Sequence, residues 1–304
     1  MTRAPSILVV GRSGRLARAL MEEAERAGFS VRALGRPELD IEDPDSVRRA
    51  VAAQSPRAII NAAGNVVLDD AERQPERAFA LNRDGAAHLA EAAARAGIPF
   101  VHVSSDYVFD GNKTTPYVED DPTDPLSVHG RSKVAGEMAV LAAHPSAVVV
   151  RTSWVFGPHG TNFVTAMLRL AEKQEAVRVV ADQYGTPTAG VDLADALLNI
   201  TAQLLNKDTT QHGGIYHVAG SGETTWLGLA QAIFSGWARR GRRVPRIEAI
   251  SLADWPGPGK RPRYSSLGCG KVASRFGIRL PPWQESLEAC LDRLAQTDAH
   301  LRQL

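Results

Sequence analysis

Cysteine is scarce in this chain, and neither sign of charge dominates. Cys269 and Cys290 are the two cysteines among 304 residues. They are too few for a disulfide framework and lack metal-ligand spacing, which excludes a disulfide-rich secreted scaffold and a zinc module. The 35 basic and 34 acidic residues leave a net charge of +1, so no overall field favours nucleic acid or an anionic membrane. An anionic ligand must therefore be held by local groups.

Long hydrophobic runs are also missing. Near the N-terminus, the apolar run from Ile7 to Val10 is too short for the core of a signal peptide or for a membrane span. We therefore expect a cytoplasmic protein that binds neither membranes nor nucleic acid. The sequence shows no internal repeat, low-complexity tract or polar linker that would divide it into independent domains.

Short apolar runs alternate with longer amphipathic or alanine-rich stretches over the first half of the chain. The runs read SILVV, FSVRAL, RAIINAAG, IPFVHVSS and AVVVRTS, and each has the length of a strand. This order predicts an α/β fold, a Rossmann-type doubly wound parallel sheet with helices on both faces. Two of the intervening helices are expected to end near Gly28 and Gly97, since glycine commonly follows the last helical turn.

After about Gly157 the alternation becomes less regular. Patterns in this half predict helices over residues 163–172, from 191 onward, over 226–239 and over 283–296, and strands in VRVVAD and YHVAG. We expect residues 1–156 to form a dinucleotide-binding domain. Residues 157–304 are expected to form mainly a smaller C-terminal substrate-binding lobe, with some elements returning to the Rossmann sheet.

The first strand runs directly into GRSGRLARAL, which has the form of a phosphate-binding loop. Two glycines allow a tight turn and a close approach of the backbone to a pyrophosphate, whose charge meets the amides at the N-terminus of the next helix. Ala17 takes the third position of the motif, which mainly sets the packing of helix on strand. The predicted cofactor contacts in this loop are Gly11, Arg12, Ser13, Gly14, Arg15 and Leu16.

Two arginines bear on the choice of dinucleotide. Arg12 lies inside the loop and Arg36 follows the second strand, so both could reach a 2′-phosphate, which favours NADPH over NADH. If both are solvated surface arginines instead, NADH remains an alternative. Ligands collect at the carboxyl ends of the strands in such sheets. The further cofactor contacts predicted there are Asp40 and Ile41 beside the adenine, and Asn61, Ala62, Ala63 and Gly64 along the ribose and pyrophosphate.

From the third strand onward, the chain resembles the dTDP-4-dehydrorhamnose reductase family, a branch of the extended short-chain dehydrogenases. The resemblance runs nearly end to end and rests on NAAGNVVLDDAE, VSSDYVFDG, HGRSKVAGE, RTSWVFGPHGTNFV, VVADQYGTPT, GIYHVAGSGETTW and KRPRYSSL, in that order. It implies reduction of the 4-keto group of a nucleotide-linked deoxysugar with NADPH or NADH. Some relatives are regulatory subunits that bind nucleotide without reducing anything.

The resemblance implies a catalytic group of Ser or Thr, Tyr and Lys. Ser105, at the end of the fourth strand, and Lys133 match the first and the last of these. Hydride addition to a carbonyl carbon requires a proton at the carbonyl oxygen, to which the serine also donates a hydrogen bond. In the family the lysine holds the ribose hydroxyls and lowers the pKa of the tyrosine. In this chain His129 stands where the tyrosine belongs.

Several groups could take the place of the missing tyrosine. Histidine supplies a proton near neutral pH, although its ring nitrogen reaches less far than a tyrosine hydroxyl. The alternatives are Tyr107, whose family counterpart lies against the substrate, Asp106 beside it, and a water held by His129. Two other hypotheses stay open: reduction of an imine, which arrives already protonated, and a nucleotide-binding or regulatory partner without turnover.

The resemblance also implies a pocket for a nucleotide sugar. In the family, Trp154 and the segment DQYGTPT shape the sugar pocket, and the KRP segment meets the nucleotide diphosphate, which arginine binds bidentately. Tyr264 and Gly268 stand where Asn and Asp are common, which allows a different base or sugar. The predicted substrate contacts are Asp106, Tyr107, Trp154, Gln183, Lys260, Arg261 and Arg263.

Some family members hold magnesium at a dimer contact through glutamates, one of them in the phosphate loop. Arg15 occupies that region here, so we predict no metal, while a homodimer stays compatible with the sequence. The favoured hypothesis is an NADPH-dependent reductase of a nucleotide-linked 4-keto-deoxysugar. A reductase recruited to another carbonyl or to an imine is the second.

Overall fold

The computed structural model describes residues 6–64, 67–206 and 212–301, and it confirms the predicted alternation of strands and helices. The strands are β1 (Ser6–Val10), β2 (Ser30–Leu34), β3 (Ala58–Asn61), β4 (Phe100–Ser105), β5 (Val148–Thr152), β6 (Val155–Phe156), β7 (Ala176–Val180), β8 (Tyr184–Gly185), β9 (Thr188–Ala189), β10 (Gly214–His217), β11 (Thr224–Thr225) and β12 (Arg246–Ile250).

The helices lie between these strands or follow them, and those predicted from the sequence begin and end near the expected positions. They are α1 (Arg15–Arg26), α2 (Pro44–Gln54), α3 (Leu68–Arg73), α4 (Pro75–Phe79), α5 (Gly85–Ala96), α6 (Val128–Ala143), α7 (Phe163–Lys173), α8 (Gly190–Asn206), α9 (Trp226–Arg239), α10 (Gly270–Phe276) and α11 (Trp283–Leu301). Gly28 and Gly97 follow α1 and α5 with φ of +72° and +64°, a conformation that glycine adopts without steric cost. Within the described ranges, no helix is both long and apolar enough to cross a bilayer.

Six strands form one parallel sheet in the order β10-β5-β4-β3-β1-β2. Strand β1 lies between β2 and β3, with Val10 opposite Leu34 on one side and Asn61 on the other. The chain therefore changes its direction of winding at β1, and a crevice opens there outside the carboxyl ends of the strands. The predicted Rossmann-type doubly wound sheet is confirmed.

Both faces of this sheet are covered, because side chains alternate along each strand. Ile7 and Val9 point to the face on which α1, α8 and α10 pack. Leu8 and Val10 point to the opposite face, which α2 and α5 cover. The buried core thus lies in two layers and fixes the carboxyl ends of β1, β3, β4 and β5 next to one another.

The second half of the chain builds an apolar core of its own and returns one strand to the sheet. Helices α7, α9 and α11 pack on the parallel pair β7–β12, while β10 pairs with β5. The sequence analysis missed β12, in which no residue is buried, and α10, which is only seven residues long. The division of the chain at residue 156 stays a prediction.

Candidate active site

A cleft of about 760 Å³ opens at the carboxyl ends of the central strands. Nineteen of the residues singled out from the sequence line it: Gly11, Arg12, Ser13, Gly14, Arg15, Leu16, Arg36, Asp40, Ile41, Ala62, Ala63, Gly64, Ser105, Asp106, Tyr107, His129, Lys133, Trp154 and Arg261. The structure therefore brings the predicted cofactor loop, catalytic group and part of the substrate set to one surface.

Four of the predicted residues lie away from this wall. Lys260 and Arg263 are exposed. Asn61 is fully buried, accepts a hydrogen bond from the Ala63 amide at 3.0 Å and contacts His102 at 3.0 Å through its own amide nitrogen. Asn61 thus holds the turn after β3 in place. Gln183 is also buried, with 1% of its surface exposed, and lies behind Tyr107.

The phosphate loop has the close backbone approach that a dinucleotide site requires. Gly11 has φ of +117°, and a Cβ built on it would lie 3.1 Å from the backbone of Ala62 and Ala63. The Gly14 amide donates to the Gly11 carbonyl at 2.8 Å, and α1 begins at the next residue. A side chain at position 11 would be strained by φ and crowded by the turn after β3, so the loop geometry fits a bound pyrophosphate.

The two arginines expected near a 2′-phosphate lie on the rim of the cleft. Nη1 of Arg12 is 2.6 Å from Oε1 of Glu38, and Nη1 of Arg36 is 3.6 Å from Oε2 of Glu42. Both guanidinium side chains are about half exposed, so each surface ion pair is weak and easily exchanged for a more highly charged partner. The geometry is compatible with two cations that grip a phosphate together.

Lys133 lies one turn after His129 on α6, so both face the cleft. Its Nζ donates a hydrogen bond to the Val103 carbonyl at 2.6 Å, and the residue is 4% exposed. Burial lowers the pKa of Lys133 to about 8, although the nearby Glu137 carboxylate raises it. An ammonium group with this pKa titrates close to physiological pH.

Ser105 and Asp106 form a short polar chain at the end of β4. The Ser105 hydroxyl donates to Oδ1 of Asp106 at 3.2 Å and accepts from the Tyr107 amide at 3.2 Å. The Ser265 hydroxyl donates to Oδ2 of Asp106 at 2.6 Å. Burial raises the pKa of Asp106 to about 7, while these hydrogen bonds act in the opposite direction. Ser105 is therefore held at the cleft by a carboxyl group that titrates near neutrality.

The ring of His129 packs edge-on against the ring of Tyr107. The two centroids are 6.1 Å apart and the planes meet at 77°. His129 is 6% exposed, and Tyr107 lines the same cleft from the segment that directly follows β4. Two proton-bearing side chains thus lie together where the resemblance implies one tyrosine.

An aromatic wall faces them, and the sequence predicted only one of its members. Trp154 stacks on Trp226 with centroids 3.6 Å apart and planes at 7°, and Phe163 lies 4.5 Å from Trp226. Trp154 has φ of +45°, a conformation that costs energy in a bulky residue and that tight surrounding packing must maintain. Trp226 and Phe163 stand in motifs that carry the resemblance, but no local pattern assigned them to the cleft, because α7 and α9 reach it only through tertiary packing.

Of Lys260, Arg261 and Arg263, the cations predicted to meet the substrate's diphosphate, Arg261 is the one that lines the cleft. Its Nη2 is 3.4 Å from Oδ1 of Asp69, and its guanidinium lies 5.4 Å from the centre of the Trp255 ring. These contacts fasten the Pro/Gly-rich loop before Arg261 beside α3. Lys260 and Arg263 would have to turn toward the cleft to join it.

Comparison with known proteins decides the ancestry of this site. The family described as the RmlD substrate binding domain matches residues 5–296. This chain belongs to the RmlD family. A dTDP-4-dehydrorhamnose reductase of Sinorhizobium fredii is 43% identical over 280 residues, covering 92% of this chain and 94% of that protein. The dTDP-4-dehydrorhamnose reductase of Escherichia coli is 35% identical, with 97% and 99% covered. The resemblance stated from the motifs is confirmed.

Solved structures of RmlD relatives share the whole architecture. A dTDP-4-dehydrorhamnose reductase of Clostridium acetobutylicum superposes with a TM-score of 0.88 at 33% identity, covering 95% of this chain and 99% of that one. The Bacillus anthracis dTDP-4-dehydrorhamnose reductase in complex with NADP gives 0.87 at 31% identity, with the same coverage. The fold of this RmlD member is therefore that of its relatives over nearly its full length.

Arg15 lies in the part of the phosphate loop where the resemblance implied a metal-binding glutamate in some members. Nη1 of Arg15 donates to the Thr161 carbonyl, and burial lowers the pKa of the guanidinium. Among the residues that the structure describes, no group of three His, Cys, Asp or Glu side chains is arranged to hold a metal ion. The absence of a metal stays a prediction.

Proposed function

We propose that this protein is an NADPH-dependent reductase of the 4-keto group of a nucleotide-linked deoxysugar, with dTDP-4-dehydrorhamnose as the first substrate to test. One observation carries the proposal: the phosphate loop at Gly11, the buried Lys133 and the hydroxyl donors Ser105 and Tyr107 face a single cleft. Relatives that cover nearly the whole chain bear the name of that activity.

The cofactor half of the cleft fits a dinucleotide phosphate. The amides of the loop from Gly11 to Leu16 would hold the pyrophosphate, Arg12 and Arg36 the 2′-phosphate, and Asp40 and Ile41 would flank the adenine. Lys133 would donate to the ribose hydroxyls beside the nicotinamide. When bound, the reduced nicotinamide supplies a hydride. This chain would hold the cofactor and keep water away from the reacting carbonyl.

The substrate half supplies hydrogen-bond donors to a carbonyl oxygen. The Ser105 hydroxyl would stabilise the negative charge that develops on that oxygen, and the proton would come from the paired Tyr107 and His129. Trp154, stacked on Trp226, would form an apolar wall of the sugar pocket. Arg261 would meet the diphosphate. We further propose a cytoplasmic enzyme, free of nucleic acid and metal, and a homodimer as its assembly.

Replacing Arg36 by alanine is expected to weaken NADPH much more than NADH. The guanidinium would lose a charge-assisted hydrogen bond to the 2′-phosphate, which is worth about 1.5–3 kcal/mol, or about tenfold to hundredfold in Kd. Titration of nucleotide fluorescence measures both affinities. Arg49→Ala is the matched control, because Arg49 is 71% exposed on α2 and pairs with Asp43. Equal losses for the two cofactors would leave Arg36 without a role in choosing NADPH.

The direct test is NADPH oxidation by wild type and His129→Tyr, assayed against a dTDP-4-keto-6-deoxysugar and a panel of cyclic imines. We expect wild type to reduce the keto-sugar, and His129→Tyr to match or exceed its kcat, since the substitution restores a phenol one turn before Lys133. Turnover of imines alone would move the activity to C=N reduction. A silent wild type beside an active variant would indicate a binding protein that lost its acid.

A further inference from the structure

Three side chains from three segments form a hydrogen-bonded row at the cleft. Nε1 of Trp226 donates to Oε1 of Gln183 at 3.1 Å. Nε2 of Gln183 lies 3.4 Å from the hydroxyl oxygen of Tyr107. Trp226 and Tyr107 line the cleft, whereas Gln183 is buried behind it. The row therefore begins and ends at the wall that would face a substrate.

The chemistry of the groups fixes the direction of every hydrogen bond in this row. An indole N–H only donates, so it must face the carbonyl oxygen of the amide. The amide NH₂ group, which also only donates, must then face Tyr107. The phenolic oxygen is thus an acceptor toward Gln183, and its own proton has to point elsewhere. Rotating the amide by half a turn would place two donors opposite each other at the indole and leave buried groups unpaired, which is costly.

Packing holds this arrangement in place. Trp226 is clamped by its 3.6 Å stacking on Trp154 and by Phe163. Gln183 is 1% exposed, so water does not compete for its amide. The Gln183–Tyr107 distance of 3.4 Å is long for a hydrogen bond, as such contacts often are in the absence of substrate.

We propose that Gln183 is a positioning residue that keeps the hydroxyl proton of Tyr107 directed into the cleft, where it is delivered to the carbonyl oxygen of the substrate. This assignment deepens the proposed reductase function and rests on it. It gives the role of acid to Tyr107 and explains how the chain works with His129 at the position of the family tyrosine.

The transfer balances in atoms and electrons. The carbonyl carbon gains the hydride, the carbonyl oxygen gains the proton, the phenolic O–H bond of Tyr107 breaks, and the phenolate takes a proton back from solvent water. Asp106, Asp69, Arg261 and His129 are the titratable groups that face Tyr107. Burial, with the adjacent Asp106, raises the pKa of Tyr107 to about 12, so the hydroxyl keeps its proton throughout the neutral range.

Gln183→Glu tests the proposal because it reverses the hydrogen bond between residue 183 and Tyr107 in a pH-dependent way, while Trp226 remains a donor. At pH 8 the ionised carboxylate accepts from both Trp226 and Tyr107, which turns the phenolic proton away from the cleft. We expect kcat to fall about 10²-fold, as on removal of one donor to a developing oxyanion. At lower pH the protonated carboxyl donates to Tyr107 as the amide did. We therefore expect kcat to recover about tenfold or more toward pH 6, since burial raises the pKa of a carboxyl.

Four further variants, one of them a double variant, separate this role from a merely structural one. Tyr107→Phe should lower kcat about 10²-fold, and adding Gln183→Glu to it should produce no recovery at low pH, because the group being directed is gone. Gln174→Glu, at an exposed glutamine after α7, should leave kcat and its pH profile unchanged. Trp226→Phe keeps an aromatic ring on Trp154 but removes the donor that fixes the Gln183 amide. We therefore expect kcat to fall while the KM for NADPH stays constant. This variant tests the proposal if Gln183→Glu does not fold.

The outcomes distinguish the two proposals. A low-pH recovery that depends on Tyr107 supports the role of Gln183. An active wild type whose pH profile parallels that of Gln183→Glu overturns this inference and leaves the reductase function standing. A recovery that persists in the Tyr107→Phe background also overturns it. A wild type that does not oxidise NADPH with the keto-sugar overturns both.

Discussion

Lys133→Met is expected to lower kcat by about 10²–10⁴-fold, the range for loss of a group that works in acid–base chemistry. The side chain is 4% exposed, and its Nζ is tied to the Val103 carbonyl at 2.6 Å. Methionine fills similar space without a charge, so the fold should persist while the ribose hydroxyls lose their donor. Steady-state NADPH oxidation with the keto-sugar measures the loss. Lys173→Met, at the exposed end of α7, is the matched control.

The pH dependence of cofactor binding separates this role from packing. The pKa of Lys133 is lowered to about 8 by burial, against the influence of Glu137. The ammonium form is therefore present below pH 8 and is lost as the pH rises through it. Wild-type affinity for NADPH should fall above pH 8, and the Lys133→Met variant should show no such step. A kcat within tenfold of wild type would remove Lys133 from the proposed mechanism.

Glu137→Leu is expected to cost about 3–5 kcal/mol in the free energy of unfolding, because it strands a buried charge. Arg151 donates to Glu137 from Nε at 3.0 Å and from Nη2 at 2.7 Å, and both side chains are 3% exposed. The Ser104 hydroxyl donates to the same carboxylate. A guanidinium does not lose its proton in a protein, so Arg151 would remain charged without its partner. Urea denaturation of the cofactor-free protein measures the difference.

A double-mutant cycle checks the physical cause. Adding Arg151→Met to Glu137→Leu removes the stranded charge. The double variant should therefore lose much less free energy of unfolding than the two single variants lose together. Glu91→Leu is the surface control, since Glu91 and Arg95 form an exposed pair on α5 that should contribute less than about 1 kcal/mol. A loss of under 1 kcal/mol for Glu137→Leu, or strict additivity of the two substitutions, would contradict the stranded charge as the cause of the loss.

The sequence was sufficient for the parts of the site that obey local rules. Gly11 and Gly14 follow a strand and precede a helix, and the backbone geometry they permit depends on sterics within a few residues. His129 and Lys133 are four apart, so one helix turn places them on the same face. Substrate contacts inferred from the resemblance fared differently: Arg261 lies on the wall, Gln183 lies behind it, and Lys260 and Arg263 are exposed.

The sequence by itself determined the alternating fold and the family, and it predicted the phosphate loop and the histidine at the position of the family tyrosine. Only the tertiary structure decided which polar groups meet: Gln183 lies 76 positions from Tyr107 and 43 from Trp226 in the chain, yet bonds to both. The physical reason is the range of the forces involved. Strand and helix patterns arise from backbone sterics and burial that repeat every two or 3.6 residues, whereas hydrogen-bond direction depends on which distant segments the packed core brings into contact.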